Sequence, residues 1–303
     1  MKVGIVGAGA VGTACMFAMS MRGSAREIVL VNRNYDRARG AVADLQYGAV
    51  LAPAVALRAG HYEDLHGAAI VMITAGANEK TGGATDRNDP AGRLRLLSAN
   101  AAVYGDIVPR IVAAAPDALL LVITDPPDPL ADVARRVSGH GRVLSSGTFL
   151  DSLRFRFHLG KKLGVDPKSV EAQVIGEHGT SQVYLWSTAR VAGTEILQDD
   201  PIRNEVENDV RYANISIIEG TGASQLGIGV VAARIAEMIG RNEDAVVPIG
   251  SYQERFGVTL SLPSRLGRDG VTRVLMPTLA EDEARGLDES AATLRRALQS
   301  IAS

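Results

Sequence analysis

At 303 residues the chain is longer than one hydrophobic core usually serves, which favours two domains sharing an interface. A formal net charge of -2 gives no electrostatic reason for nucleic acid or an acidic membrane surface to be a partner, and no apolar run is long enough to span a bilayer. Cys15 is the only cysteine, so an intramolecular disulfide is excluded and a reducing, cytoplasmic setting is expected.

Aromatic residues are only 4% of the chain, so the core has to come from Ala, Val, Leu and Ile, as suits helices packed closely on a parallel sheet. Residues 2–6, Lys-Val-Gly-Ile-Val, read as a buried strand, followed by a glycine-rich turn and an apolar helix to about Arg22. A second strand is predicted over 27–31, a helix over 35–46, strands over 69–74 and 119–124, and a long helix over 91–115 between those two. Strands alternating with helices predict right-handed crossovers and a doubly wound parallel sheet covered on both faces. Beyond residue 146 the alternation weakens. A helix is expected over 149–163, strands near 170–175 and 184–191, helices over 201–218 and 224–240, an antiparallel pair at 246–252 and 257–263, and a terminal amphipathic helix over 282–300. The expected division is a dinucleotide-binding domain over 1–146 and a substrate domain over 147–303.

Gly7-x-Gly9-x-x-Gly12 follows a predicted strand and opens a predicted helix, the context in which such spacing signals a dinucleotide site. Gly7 permits the tight turn, Gly9 lets the backbone approach a pyrophosphate, and Gly12 lets helix and strand pack closely. Ala10 and Val11 supply N–H groups at the helix N-terminus, where the positive dipole end favours phosphate. About twenty residues further on, an acid would accept hydrogen bonds from the ribose hydroxyls of NAD. Here the strand ends Val31-Asn32-Arg33. Without that carboxylate a 2'-phosphate is not repelled, and Arg33 is either a partner for it or a solvated loop residue, so NADP is expected to be accepted beside NAD, with a preference for NADP open.

Gly176-Glu177-His178-Gly179 stands downstream of Asp151 and Arg154. An imidazole titrates near neutral pH and can give or take the proton that accompanies hydride transfer. Asp151 is the candidate to fix its tautomer, and Arg154 the candidate to hold a substrate carboxylate through paired hydrogen bonds. His61, His66, His140 and His158 show no ligand spacing, and no metal is expected.

With Thr74-Ala75-Gly76-Ala77, Arg93-Leu94-Arg95-Leu96-Leu97, Thr124-Asp125-Pro126 and Gly147-Thr148-Phe149-Leu150-Asp151-Ser152-x-Arg154-Phe155, these segments follow in an order that resembles the L-lactate and malate dehydrogenase family over nearly the whole chain. The resemblance implies a Rossmann domain followed by an α+β substrate domain, a nicotinamide cofactor, a small 2-hydroxy or 2-oxo acid substrate, and assembly as a homodimer or homotetramer. It implies that His178 is the acid/base with Asp151 as partner and Arg154 as carboxylate clamp. Arg93 matches the mobile-loop arginine that polarises the substrate carbonyl, with Arg87 a rival in a loop longer than usual. Thr74, Ala75, Gly76, Asp125 and Ile228 fall at cofactor positions, and Ser224 falls near the substrate.

Two departures bear on specificity. Glu79 occupies the position where lactate enzymes carry Gln and malate enzymes Arg, and a carboxylate there disfavours the second carboxylate of oxaloacetate. Asp125 replaces an Asn, and an ionised Asp accepts but cannot donate a hydrogen bond. A lactate-like substrate is expected; the two carboxylates together favour an amine or polyol substituent on it, and the lengthened loop leaves a larger or more polar side chain open. The Asp125-Pro126 bond is a candidate cis peptide. A nucleotide-binding paralogue with weak or lost dehydrogenase activity is the second reading, and a malate dehydrogenase a third.

Overall fold

The computed structural model describes residues 1–77, 85, 86, 89, 92–196 and 200–301, excluding the side chains of Arg93 and Asp200. Strands β1 (Lys2–Val6), β2 (Glu27–Val31), β3 (Ala56–Gly60), β4 (Ile70–Ile73), β5 (Leu119–Val122) and β6 (Val143–Ser145) pair in parallel in the order β3-β2-β1-β4-β5-β6. The chain reverses direction across the sheet between β1 and β4, which opens a crevice at the carboxyl ends of those two strands. Helices α1 (Ala10–Arg22), α2 (Tyr35–Ala49), α3 (Leu96–Ala114) and α4 (Pro127–Ser138) cover the two faces.

Period-2 alternation decides which face each strand residue serves. Val3, Ile5, Ile28, Leu30, Ile70 and Met72 point into one core with α1 and α2, while Val6, Val29, Val31, Val71 and Ile73 point into the other with α3 and α4. Both sets are buried, which is why these strands read as continuous apolar runs rather than alternating ones.

The second half begins with α5 (Phe149–Leu163), then short strands β7 (Val170–Glu171), β8 (Val174–Ile175), β9 (Val183–Tyr184), β10 (Arg190–Val191) and β11 (Thr194–Glu195). Helices α6 (Asp200–Arg211), α7 (Ala213–Thr221) and α8 (Leu226–Arg241) follow, then β12 (Ala245–Gln253), β13 (Val258–Gly267), β14 (Gly270–Val274) and α9 (Glu281–Ser300). A third core under α5 gathers Phe155, Leu159, Val174, Tyr184, Trp186 and Val206, with the Trp186 ring edge-on to Phe155 at 4.7 Å. Trp186 is therefore packing material.

Several elements differ from their predicted form. β3 lies at the sheet edge and needs little apolar sequence, so Ala-Leu-Arg-Ala-Gly gives no strand signal. α4 opens on Pro127-Asp128-Pro129, which reads as a turn, yet proline fits a first helical turn where no intrahelical N–H bond is made. The predicted helix over 201–218 breaks at Tyr212 into α6 and α7. The strands predicted at 170–175 and 184–191 are each two short pieces. Most consequentially, the β12–β13 pair does not stand alone: β12 joins β6 through Gly250 and Ser145, giving one nine-stranded sheet.

The two halves are also locked by α8 packed against α1. A Cβ at Gly229 would lie 2.6 Å from the Ala14 carbonyl carbon, so the helices meet backbone to backbone. Gly229→Ala is expected to lower stability by about 1–3 kcal/mol through forced separation of the two helices, read as an earlier urea midpoint; an unchanged midpoint would show that the contact yields freely.

Candidate active site

The glycine turn is shaped by its neighbours. Gly7 has φ 116°, and a Cβ there would approach the Ala75 nitrogen to 2.7 Å. A Cβ on Gly12 would fall 1.9 Å from the Gly7 carbonyl oxygen. Gly9 is different: a Cβ there meets nothing within 4 Å, and its φ of -80° is open to any residue. Its hydrogen atom thus keeps clear a space beside the N-terminus of α1, which has no side-chain cap among the described residues. This fits a pyrophosphate: unoccluded backbone, unspent N–H groups and the positive end of a helix.

Polar side chains tie the turns around the crevice together. The Thr74 hydroxyl donates to the Gly7 carbonyl at 3.0 Å, and the Thr124 hydroxyl donates to the Ala75 carbonyl at 2.9 Å. Asn100, fully buried on α3, accepts from the Ala77 N–H and donates to the Asp125 carbonyl, both at 2.7 Å. The Asp125-Pro126 bond is cis, as the sequence suggested.

Across the crevice, α5 is pinned to β8 by hydroxyls on either side of Asp151. Thr148 Oγ1 donates to the Val174 carbonyl at 2.5 Å, and the Val174 N–H donates to Ser152 Oγ at 2.8 Å. Two residues beyond β8 the chain reaches Glu177-His178. This docking brings the Asp151 carboxylate to His178, whose Nδ1 donates to Asp151 Oδ2 at 2.5 Å. Arg154, one helical turn along α5, donates from Nη1 to Asp151 Oδ1 at 3.0 Å. Asp151 is 2% exposed and both its oxygens carry a charge-capable donor. Arg154 makes no other hydrogen bond among the described residues, which leaves the rest of its guanidinium for an anion. The Nδ1 bond directs Nε2 away from Asp151, and His178 lines the crevice.

The crevice is a cleft of about 350 Å³. It gathers Gly9, Ala10, Val11, Thr74, Gly76, Asp125, His178, Ser224 and Ile228 from the expected set. Gly7, Gly12 and Ala75 form the turn beneath it, and Asp151 and Arg154 stand behind His178. Asn32 and Arg33 do not line it. The Asn32 amide is committed to backbone, accepting from the Ala8 N–H at 3.0 Å and donating to the Asn34 carbonyl at 2.9 Å, and Arg33 is exposed. Glu79, Arg87 and the side chain of Arg93 lie outside the described residues. Missed in sequence were Arg37, on the first turn of α2 at the cleft rim, and Asn100. Arg37 lies close behind Arg33 and could have been weighed with it; Asn100, inside an apolar helix, gave no signal beyond being a polar residue on a buried face.

A glycine turn at the reversal point of a doubly wound sheet, faced by an imidazole–carboxylate–guanidinium relay, defines the class: a two-part α/β protein with a dinucleotide-type cleft. The family model described as lactate/malate dehydrogenase, NAD binding domain, matches residues 1–143, and that described as lactate/malate dehydrogenase, alpha/beta C-terminal domain, matches residues 148–303. The chain is 41% identical to an L-lactate dehydrogenase of Chloroherpeton thalassium, over 99% of this chain and 100% of that one. It is 40% identical to an L-lactate dehydrogenase of Deinococcus radiodurans, over 97% of each. Among solved structures it is similar to a lactate dehydrogenase enzyme from a Medee basin deep-sea metagenome library, with a TM-score of 0.91, 33% identity, and coverage of 100% of this chain and 99% of that one. The minor L-lactate dehydrogenase of Enterococcus mundtii in a ligand-bound form also superposes with a TM-score of 0.91, at 32% identity over 99% of this chain and 98% of that one. The chain belongs to the lactate/malate dehydrogenase family.

Because Gly9 alone of the three motif glycines has free space, Gly9→Ala is expected to leave the Tm of the cofactor-free chain unchanged while raising the dinucleotide Kd at least about tenfold. Calorimetric titration checks it; unaltered affinity would mean that the backbone at Gly9 is not approached.

Proposed function

We propose that the chain is a nicotinamide-dependent L-2-hydroxy acid dehydrogenase, and the observation that carries the reading is Asp151 binding both Arg154 and His178, the imidazole lining the glycine-turn cleft. A nicotinamide dinucleotide held by the turn from Gly7 to Gly12 and by Ile228 would supply the hydride chemistry at C2 of the 2-oxo or 2-hydroxy acid. His178 gives a proton from Nε2 to the carbonyl oxygen in reduction and takes it back from the hydroxyl in oxidation. Asp151 stabilises the charged imidazole and keeps the proton on Nδ1 when the ring is neutral. Arg154 holds the substrate carboxylate with the donors that Asp151 leaves unused. Arg93, or Arg87 in its place, polarises the carbonyl from the loop before α3. Ser224 and Ile228 wall the substrate and nicotinamide ends.

The division of labour is a dinucleotide-binding part over 1–146 and a substrate part over 147–303. The substrate is lactate-like. Asp125 at the cleft wall and Glu79 in the loop favour apolar, hydroxyl or amino side chains over a second carboxylate. Both NAD and NADP are accepted. Asn32 carries no charge to repel a 2'-phosphate, and the exposed guanidinium of Arg37 at the cleft rim adds a cation on the α2 side. A nicotinamide absorbance assay with both cofactors against pyruvate, oxaloacetate and hydroxyl- and amino-substituted 2-oxo acids tests this. Pyruvate or a neutral relative is expected to be turned over fastest, with Michaelis constants for the two cofactors within about tenfold, and Asp151→Asn is expected to lower kcat on the order of 100-fold. No turnover of any 2-oxo acid overturns the activity; fastest reduction of oxaloacetate or a strong NAD preference overturns the corresponding part.

The chain assembles as a homodimer or homotetramer. Phe17 and Met21 on α1, Leu226 and Val230 on the adjoining α8, and Phe157 on α5 expose apolar side chains, with Leu226 70% exposed. A monomer rarely presents such a surface to water. Light scattering is expected to give two or four times the mass of the chain, and a monomer at micromolar concentration counts against it.

A further inference from the structure

The loop that carries His178 is held at three successive residues by parts of the chain far away in sequence. Gly176 exchanges both backbone hydrogen bonds with Ser261 of β13, at 2.8 and 2.9 Å. The Glu177 N–H donates to Ser290 Oγ of α9 at 2.7 Å. The His178 N–H donates to Asp128 Oδ2 at 2.6 Å. The first two partners are neutral, and the third is a carboxylate. Asp128 is fully buried on the first turn of α4, directly after the cis Asp125-Pro126 segment. Its other oxygen accepts the Ser145 hydroxyl. The fold makes room for it: a Cβ at Gly250 would lie 2.7 Å from Asp128 Oδ1 and 1.8 Å from Ser145 Oγ.

A neutral amide would accept the same N–H at this position, so the charge needs its own reason. Burial pushes the Asp128 carboxyl up to about 7, opposed by the His178 N–H, the Ser145 hydroxyl and the positive charge of His178, while Glu177 pushes the same way as burial. With the folded value above the unfolded one, the native state holds a proton that the unfolded chain releases. The resulting stability is full at acid pH and is lost as pH rises through the range from the unfolded value to about 7. At neutral pH and above the ionised side chain therefore costs stability. Among the described residues, the side chain whose positive charge acts on it is that of His178, whose backbone N–H it accepts.

We propose that Asp128 is a positioning residue for His178, fixing the backbone of its loop and, as the second carboxylate beside Asp151, favouring the protonated ring. This rests on His178 being the proton carrier. Among the described residues, the charged groups around His178 are Asp151 from α5, bonded to the ring, Arg154 on the other oxygen of Asp151, Glu177 next to it in its own loop, and Asp128 from α4, bonded to its backbone N–H. Asp151 orients the ring from Nδ1; Asp128 anchors the chain on which the ring is mounted. A substrate carbonyl must meet Nε2 at hydrogen-bond distance, so both are needed for productive geometry.

Asp128→Asn keeps shape and acceptor and removes the charge. In the cofactor-free chain, whose five histidines are few enough to resolve, NMR titration is expected to show the His178 midpoint moving to lower pH by about half a unit or more. In the loaded enzyme the alkaline limb of kcat/KM for the 2-oxo acid should move the same way and kcat should fall about tenfold, with dinucleotide Kd unchanged and Tm at pH 8 equal to or above that of the unsubstituted chain. A structural role alone would lower Tm and leave midpoint and limb in place, and that result overturns the proposal. Ser145→Ala, which retains the carboxylate but strips its hydroxyl donor, is expected to give a smaller shift in the same direction, and no shift in it also overturns the proposal. If the unsubstituted enzyme reduces no 2-oxo acid, the activity reading fails, while the NMR midpoint still reports whether Asp128 biases the ring.

Discussion

A carboxylate removed from water must be met by donors or cations, and Asp151 is the place where this requirement organises the molecule. It is almost completely buried, and its two oxygens are divided between the imidazole of His178 and the guanidinium of Arg154. Take either partner away and a charge is left under-compensated beneath the cleft. The spacing of Asp151 and Arg154 on α5 puts them on one helical face, but His178 arrives from another element. The docking of α5 on β8 through Thr148 and Ser152 is what closes the distance. Behind it the Phe155, Tyr184 and Trp186 rings pack on one another and give α5 a stiff bed.

The continuous sheet couples this relay to the nucleotide side. β6 ends the parallel run and hands over to β12 through a single register pair, Gly250 with Ser145. Gly250 is small because Ser145 and Asp128 occupy the space a side chain would take. One edge therefore serves three purposes: it joins the halves, admits a buried carboxylate and delivers β13, whose Ser261 holds the His178 loop and the Thr148 N–H. The geometry around His178 is thus inherited from sheet geometry, and a rigid scaffold supports a site whose own backbone is loop.

On the cofactor side the same economy appears. The Asn32 amide, at the end of β2, props the glycine turn through Ala8. Asn100 staples the turn after β4 to the turn after β5. Both use side-chain amides because only a group with donor and acceptor can satisfy two backbone partners at once.

Much of this was legible in sequence where a local rule sufficed. The strands β1, β2, β4 and β5 are buried on both faces, and each shows as an apolar run whatever lies around it. Gly12 is demanded by the Gly7 carbonyl five residues before it and Gly7 by its own positive φ, both beside a recognisable strand and helix. His178, Asp151 and Arg154 stood out because acid–base and carboxylate chemistry require those side chains. What stayed hidden depends on partners distant along the chain: edge strand β3, formed by pairing with β2; α4, whose prolines mimic a turn; the union of β12 with β6; and Asn100, Arg37 and Asp128, ordinary residues made important by what folds against them. The amino-acid order by itself determined the alternation of strand and helix, the dinucleotide turn and the chemical identity of the relay, since periodicity and reactive groups are local properties. Only the tertiary structure decided which carboxylates reach His178 and how the two halves share one sheet, because hydrogen bonds spanning 27 and 50 residues exist only once the chain has closed on itself.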